Sequence, residues 1–97
     1  MPDMRDMFTS SYVTNLDLSS WNVSNVTDMS NMFVSCSNLE TLNLNGWKLN
    51  DMVDTDRMFN YCDRLNEIYL KNSDESTYMK IEEALNRSGI SAKIITE

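Results

Sequence analysis

Residues 13–38 read VTNLDLSSWNVSNVTDMSNMFVSCSN, and residues 39–64 read LETLNLNGWKLNDMVDTDRMFNYCDR. Set one above the other, the two lines repeat at 26 residues. Leu16 falls over Leu42, Leu18 over Leu44, Trp21 over Trp47, Met32-Phe33 over Met58-Phe59 and Cys36 over Cys62. A third line opens at Leu65 with LNEIYLKNS and places Ile68 and Leu70 in the same columns. Before the first line, Met7-Phe8 repeats the Met-Phe pair at a spacing of 25. So many co-registered positions identify an internal repeat, and such a repeat decides the fold before any local reading.

Each unit divides into two halves. Leu39-x-x-Leu42-x-Leu44 ends in apolar–polar alternation, the pattern of a strand with one buried face. Met29, Met32, Phe33 and Cys36 recur at i, i+3, i+4 and i+7, which predicts one buried stripe of a helix. Thr27 or Asp28 is expected to cap its start. Between the halves, Trp21, Val23 and Val26, then Trp47, Leu49 and Met52, are expected to turn inward. One unit buries too little surface alone, whereas stacked units share a continuous core. The expected fold is therefore α/β: a leucine-rich-repeat-like solenoid, a right-handed β-α superhelix. It should hold about four short parallel strands, with one helix or helical turn per repeat.

The division expected is 26-residue repeats over residues 1–73 and a C-terminal capping helix and strand over 74–97. Tyr78, Ile81, Ala84 and Leu85 mark a helix beginning near Ser76, with Gly89 placed to end it. Lys93 to Thr96 reads as a strand, and Ile94 lies 26 residues after Ile68. A polar final helix is what the end of an array requires. At the other end, residues 1–8 supply only the second half of a unit, so Val13, Leu16 and Leu18 are expected to lack cover. That predicts a piece of a longer array, with end-to-end self-association through this uncapped edge.

Composition narrows the function. A net charge of −7 disfavours nucleic acid, whose phosphates call for a Lys/Arg surface. No apolar run approaches the ~20 residues needed to cross a bilayer, so no membrane insertion is expected. The chain has no histidine, which removes the commonest general base and metal ligand. No nucleophile–base pair, metal-ligand set or phosphate loop is visible, and the reading is a non-enzyme without cofactor or metal.

The phrase LDLSSWNVSNVTDMSNMFVSCSNLETLNL, residues 16–44, resembles the BspA-type leucine-rich repeats of bacterial surface proteins, also described from mycoplasma lipoproteins as a domain of unknown function. The resemblance covers roughly residues 3–73. It implies an exported or surface-anchored protein that takes part in adhesion. Where many such repeats place an inward Asn after the strand, this chain has Trp21 and Trp47, so another group must satisfy that turn.

Cys36 and Cys62 share a repeat position and should lie on adjacent units about 5 Å apart, within disulfide range. Their place on the apolar stripe favours free buried thiols instead. Asp51, Asp54 and Asp56 form an acidic cluster, read as caps at a helix start rather than as a calcium site, which needs six or more converging oxygens. Asn22, Asn25 and Asn86 head Asn-x-Ser/Thr triplets, and turn hydrogen bonding accounts for them. Tyr12, Tyr61, Tyr69 and Tyr78 are less bound by the repeat and could be exposed.

The remaining candidate surface is the outward side of the strands, where residues alternate with the buried leucines. The site residues expected there are Asn15, Asp17, Thr41, Asn43, Glu67, Tyr69 and Lys71, with Lys93 and Ile95 beyond them. The expected function is a non-catalytic, surface-displayed module binding an extracellular protein or glycan. The competing reading is a structural spacer with no ligand of its own.

Overall fold

Leu16, Leu42, Ile68 and Ile94 sit at a constant 26-residue interval, and each is the middle residue of a three-residue strand. The computed structural model describes residues 3–97. The strands are β1 (Asn15–Asp17), β2 (Thr41–Asn43), β3 (Glu67–Tyr69) and β4 (Lys93–Ile95), with helix α1 (Glu75–Arg87) between the last two. They form one parallel sheet in the order β1-β2-β3-β4. The register pairs Leu16 with Leu42, Leu42 with Ile68 and Ile68 with Ile94. The architecture is α/β: four parallel strands in one sheet and, among the described residues, one helix.

A second hydrogen-bonded seam runs along the other half of the units. Asp3, Asp28 and Asp54 make parallel bridges to one another. Beyond them the chain does not form the helix expected from the Met29–Cys36 stripe. Met32 N–H donates to Met29 O at 3.2 Å and Cys36 N–H to Phe33 O at 3.1 Å, closing two successive β-turns. The third residue of each turn is left-handed, with φ of 58° at Asn31 and 60° at Ser35. This is the position that type II turns require to be left-handed. Arg57 and Tyr61 repeat the geometry one unit on, at 57° and 64°, and Asp6 and Ser10 one unit back, at 59° and 60°. The first and last residues of two consecutive turns are spaced i, i+3, i+4, i+7, the spacing of a helix stripe.

The destination of the free N–H groups separates the two structures. In a helix every N–H would stay within its own segment. Here Met29, Asn31, Phe33 and Ser35 donate to the carbonyls of Asp54, Asp56, Met58 and Asn60 at 2.8–3.0 Å. Met4, Asp6, Phe8 and Ser10 donate in the same way to Asp28, Ser30, Met32 and Val34. Each unit is thus tied to the next by backbone hydrogen bonds on both sides of the core.

The core lies between these seams. Met29, Met32, Phe33, Cys36, Leu39, Leu42, Leu44, Trp47, Met58, Phe59 and Ile68 are fully buried. Phe8, Phe33 and Phe59 stack in a column with ring centroids 5.6 Å apart. The cysteines are free and buried. Their thiols donate to the preceding unit, Cys36 to Phe8 O at 2.9 Å and Cys62 to Phe33 O at 3.0 Å. Burial pushes the Cys36 thiol pKa up and that of Cys62 up to about 12.

Several corner positions depart from expectation. Val23, Val26, Trp47 and Leu49 turn inward, but Trp21 remains 37% exposed and Met52 79% exposed. Asn50 accepts from Met52 N–H at 2.8 Å, and the turn so formed points Met52 out while Val53 packs on the core. The indole N–H of Trp47 donates to Leu18 O at 2.8 Å, satisfying the turn for which no inward Asn is present. Leu18 is buried at 2% exposure, contrary to the expected lack of cover, whereas Val13 and Leu16 are only partly buried. Asp28 and Asp54 cap turns rather than helices. Asp28 accepts from Ser30 N–H at 2.9 Å, and Asp54 from Asp56 N–H at 2.9 Å.

Helix α1 replaces the paired turns in the last unit. Asp74 caps it by accepting from Thr77 N–H at 2.8 Å. Gly89, at φ 70°, follows its end. Ile90 N–H bonds Leu85 O and Gly89 N–H bonds Asn86 O, a pair of bonds that satisfies the last carbonyls. Ile81, Ala84 and Leu85 bury the apolar face, and the buried Thr77 hydroxyl accepts from Leu49 N–H at 2.9 Å.

Candidate functional site: the outward strand face

Because the four strands are in register, their outward side chains fall into columns. One column holds Asn15, Thr41, Glu67 and Lys93, and a second holds Asp17, Asn43, Tyr69 and Ile95. Lys71 lies just beyond β3. The structure therefore brings all seven expected site residues onto one face.

The side chains differ in what they are free to do. Thr41 Oγ1 donates to Asn15 Oδ1 across the β1–β2 seam. Asp17 Oδ1 accepts from Ser19 N–H at 3.0 Å and from its hydroxyl at 2.6 Å, and these bonds hold the Asp17 carboxyl below its usual range. Asn43 Oδ1 accepts from Asn45 N–H at 3.0 Å. Asp17 and Asn43 thereby close the turns that follow their strands, a role available to short side chains carrying an oxygen. Asn45 Oδ1 in turn accepts from Lys71 N–H at 2.7 Å, fixing the backbone from which the Lys71 side chain projects.

Tyr69 is partly buried, and its hydroxyl donates to Glu67 Oε1 at 3.3 Å. The Glu67 charge beside it raises the Tyr69 pKa. Lys71 and Lys93 are exposed, and their ammonium groups make no ion pair or hydrogen bond among the described residues. The face thus grades from a turn-engaged acid at Asp17 to two available cations at the β3–β4 end, with Tyr69 between them.

Elsewhere the surface offers less. A groove of ≈ 240 Å³ between α1 and β4 is lined by Tyr78, Glu82, Leu85, Ile90 and Ile94 among others, on the opposite side of the sheet from Lys93. Among the described residues no group of three or more His, Cys, Asp or Glu is placed to hold a metal ion. Among them, too, no helix is long and apolar enough to cross a membrane. Tyr12 and Tyr61 are exposed, at 86% and 67%, while Tyr78 packs against the core.

Sequence reasoning did not single out the engagement of Asp17 and Asn43. The signal was present: both stand two residues before a donor in the turn after a strand, as Asn22 does before Ser24. It also missed Trp21 as an exposed aromatic, because the repeat equates it with the buried Trp47.

No curated protein and no solved structure matches the chain. Over residues 1–94 it matches a family model described as "Mycoplasma protein of unknown function, DUF285". A match spanning nearly the whole repeat, from the first turn pair to β4, means that this chain belongs to that family.

Proposed function

We propose that the chain is a stacked-repeat module of the BspA-like leucine-rich kind, a right-handed solenoid displayed on a bacterial cell surface. In this reading it is non-catalytic and binds an extracellular protein or glycan through its outward strand face. The observation that carries the reading is the β3–β4 end of that face. There Tyr69 stands between Glu67 and the unpaired Lys71, with Lys93 one strand over. A held tyrosine ring beside free cations suits contact with a sugar face or a peptide bearing acceptor groups, since aromatic rings supply rigid contact area at low entropic cost.

The spacer reading draws on a different observation. Asn15, Asp17, Thr41 and Asn43 are engaged with neighbouring groups of the chain, which is what a merely solvated sheet face would need. Immobilised protein, screened against matrix proteins, mucins and glycan panels, separates the two. Binding that falls at least tenfold in a Tyr69→Ala, Lys71→Glu double variant of unchanged circular dichroism supports recognition by this face. Binding insensitive to that variant, or none across the panels, leaves the spacer reading.

A further inference from the structure

We infer that the open edge of β1 is a docking site for a further strand-and-corner segment of this same repeat. The segment would add in parallel, so that Trp21 becomes buried as Trp47 is. The inference rests on the stacked-repeat reading above and is independent of any ligand on the strand face.

The internal seams specify what this edge accepts. Glu40 and Thr41 N–H donate to Thr14 O, Asn66 and Glu67 N–H to Glu40 O, and Lys93 N–H to Asn66 O. In return the carbonyls of Asn43, Tyr69 and Ile95 accept from Leu18, Leu44 and Leu70 of the unit before, at 2.8–2.9 Å. The corresponding edge groups on β1 are the N–H of Thr14 and Asn15 and the carbonyl of Asp17. They face no preceding strand, because β1 is first in the sheet order.

Side chains repeat the contrast. Leu42 and Ile68 are fully buried, but Leu16 is only partly so. Trp47 is fully buried with its indole N–H on Leu18 O, while Trp21 is 37% exposed and touches Phe8 at 6.0 Å between ring centroids. The turn half of the missing layer is already in place. Met4 to Ser10 is hydrogen-bonded onto the first unit, and Phe8 is stacked on Phe33. What remains open is the strand-and-corner half, bounded on one side by Phe8 and continuous with the interface between β1 and β2.

The occupant must therefore supply two alternating apolar side chains and a carbonyl for the Trp21 indole, on a strand parallel to β1. A unit of this repeat has all three. A whole second copy fits less well, because its outer strand β4 is preceded by α1 rather than by the corner and paired turns.

The test inserts a second copy of residues 39–64, carrying Trp47→Phe within the copy, between Tyr12 and Val13. Docking predicts one cooperative transition, a Tm raised by roughly 4 °C or more, and a blue shift of the Trp21 emission. An unchanged or lower Tm with Trp21 emission unmoved overturns the docking, while buried Trp47 emission in the same protein leaves the stacked repeat standing. Loss of the Trp47 burial as well would overturn the stacking itself. Should the inserted chain fail to fold, a peptide of residues 39–52 with Trp47→Phe, titrated into the unaltered chain, decides. Slowed amide exchange at Asn15 and Asp17 supports the docking, and no slowing at millimolar peptide, or equal slowing by a scrambled peptide, overturns it. Concentration-dependent dimerisation of the unaltered chain that buries Trp21 would assign the edge to a second copy and overturn the inference.

Discussion

Trp47 and Trp21 occupy one repeat position, yet their indoles have different surroundings, and their substitutions should separate accordingly. Trp47→Phe removes the donor to Leu18 O and leaves a buried carbonyl without its partner, a loss of about 1–3 kcal/mol. Trp21→Phe removes no such bond, and chemical denaturation should show a far smaller effect. The cysteines follow the same logic. With the Cys62 thiol pushed up to about 12, almost no thiolate is present at pH 8, and burial also shields both sulfurs. Since the thiolate is the nucleophile, iodoacetamide is expected to label neither cysteine of the native chain and both after unfolding. Rapid native labelling, followed by mass spectrometry, would contradict the buried-thiol geometry. The shared column of Cys36 and Cys62 was legible in the sequence. Their hydrogen bonds to Phe8 O and Phe33 O were not, since these depend on how one unit sits on the next.

At the scale of the element, the paired turns replace a helix, and one substitution distinguishes them by sign. Tyr61 is exposed and left-handed at φ 64°. A side chain in that region costs roughly 1–2 kcal/mol that glycine avoids. Tyr61→Gly should therefore stabilise the chain by about 1 kcal/mol, whereas glycine within a helix would cost about that much. Denaturant midpoints of the two proteins give the sign directly. Helix α1 makes the opposite case, because its apolar stripe and its stop at Gly89 were legible in the sequence. Thr77 was not singled out, and its buried hydroxyl holds Leu49 N–H at 2.9 Å. Thr77→Val should cost about 1–3 kcal/mol by leaving that donor unmet, as measured by urea unfolding.

For the whole molecule, the acid limb of stability reports on the capping carboxylates. The pKa values of Asp17, Asp28 and Asp74 are all lowered, first by side-chain hydrogen bonds from Ser19, Ser30 and Thr77. A depressed folded-state pKa means that the unfolded chain binds more protons in the window below about pH 4. Stability from these groups is therefore complete above that pH and lost as pH falls through the folded values. Thermal scans from pH 7 to pH 2 should show Tm falling over this range, and Asp74→Ala should soften the fall and lower Tm at neutral pH. A Tm that rises on acidification would mean that relief of self-repulsion in a chain of net charge −7 outweighs the caps.

The 26-residue interval, the strand positions, the set of apolar residues facing inward and the outward columns from Asn15 to Lys71 were all determined by the sequence alone. They follow from periodicity, which is a property of one chain read along its length. Tertiary structure decided the paired turns, the exposure of Trp21 and Met52, and which polar groups of the strand face stay available. A helix stripe and two successive turns put the same residues inward. Only the neighbouring unit, which receives the N–H groups of Met29, Asn31, Phe33 and Ser35, makes the turns the lower-energy choice. Likewise Asp17 and Asn43 look free in a strand pattern and become engaged once the following turn folds back onto their side-chain oxygens.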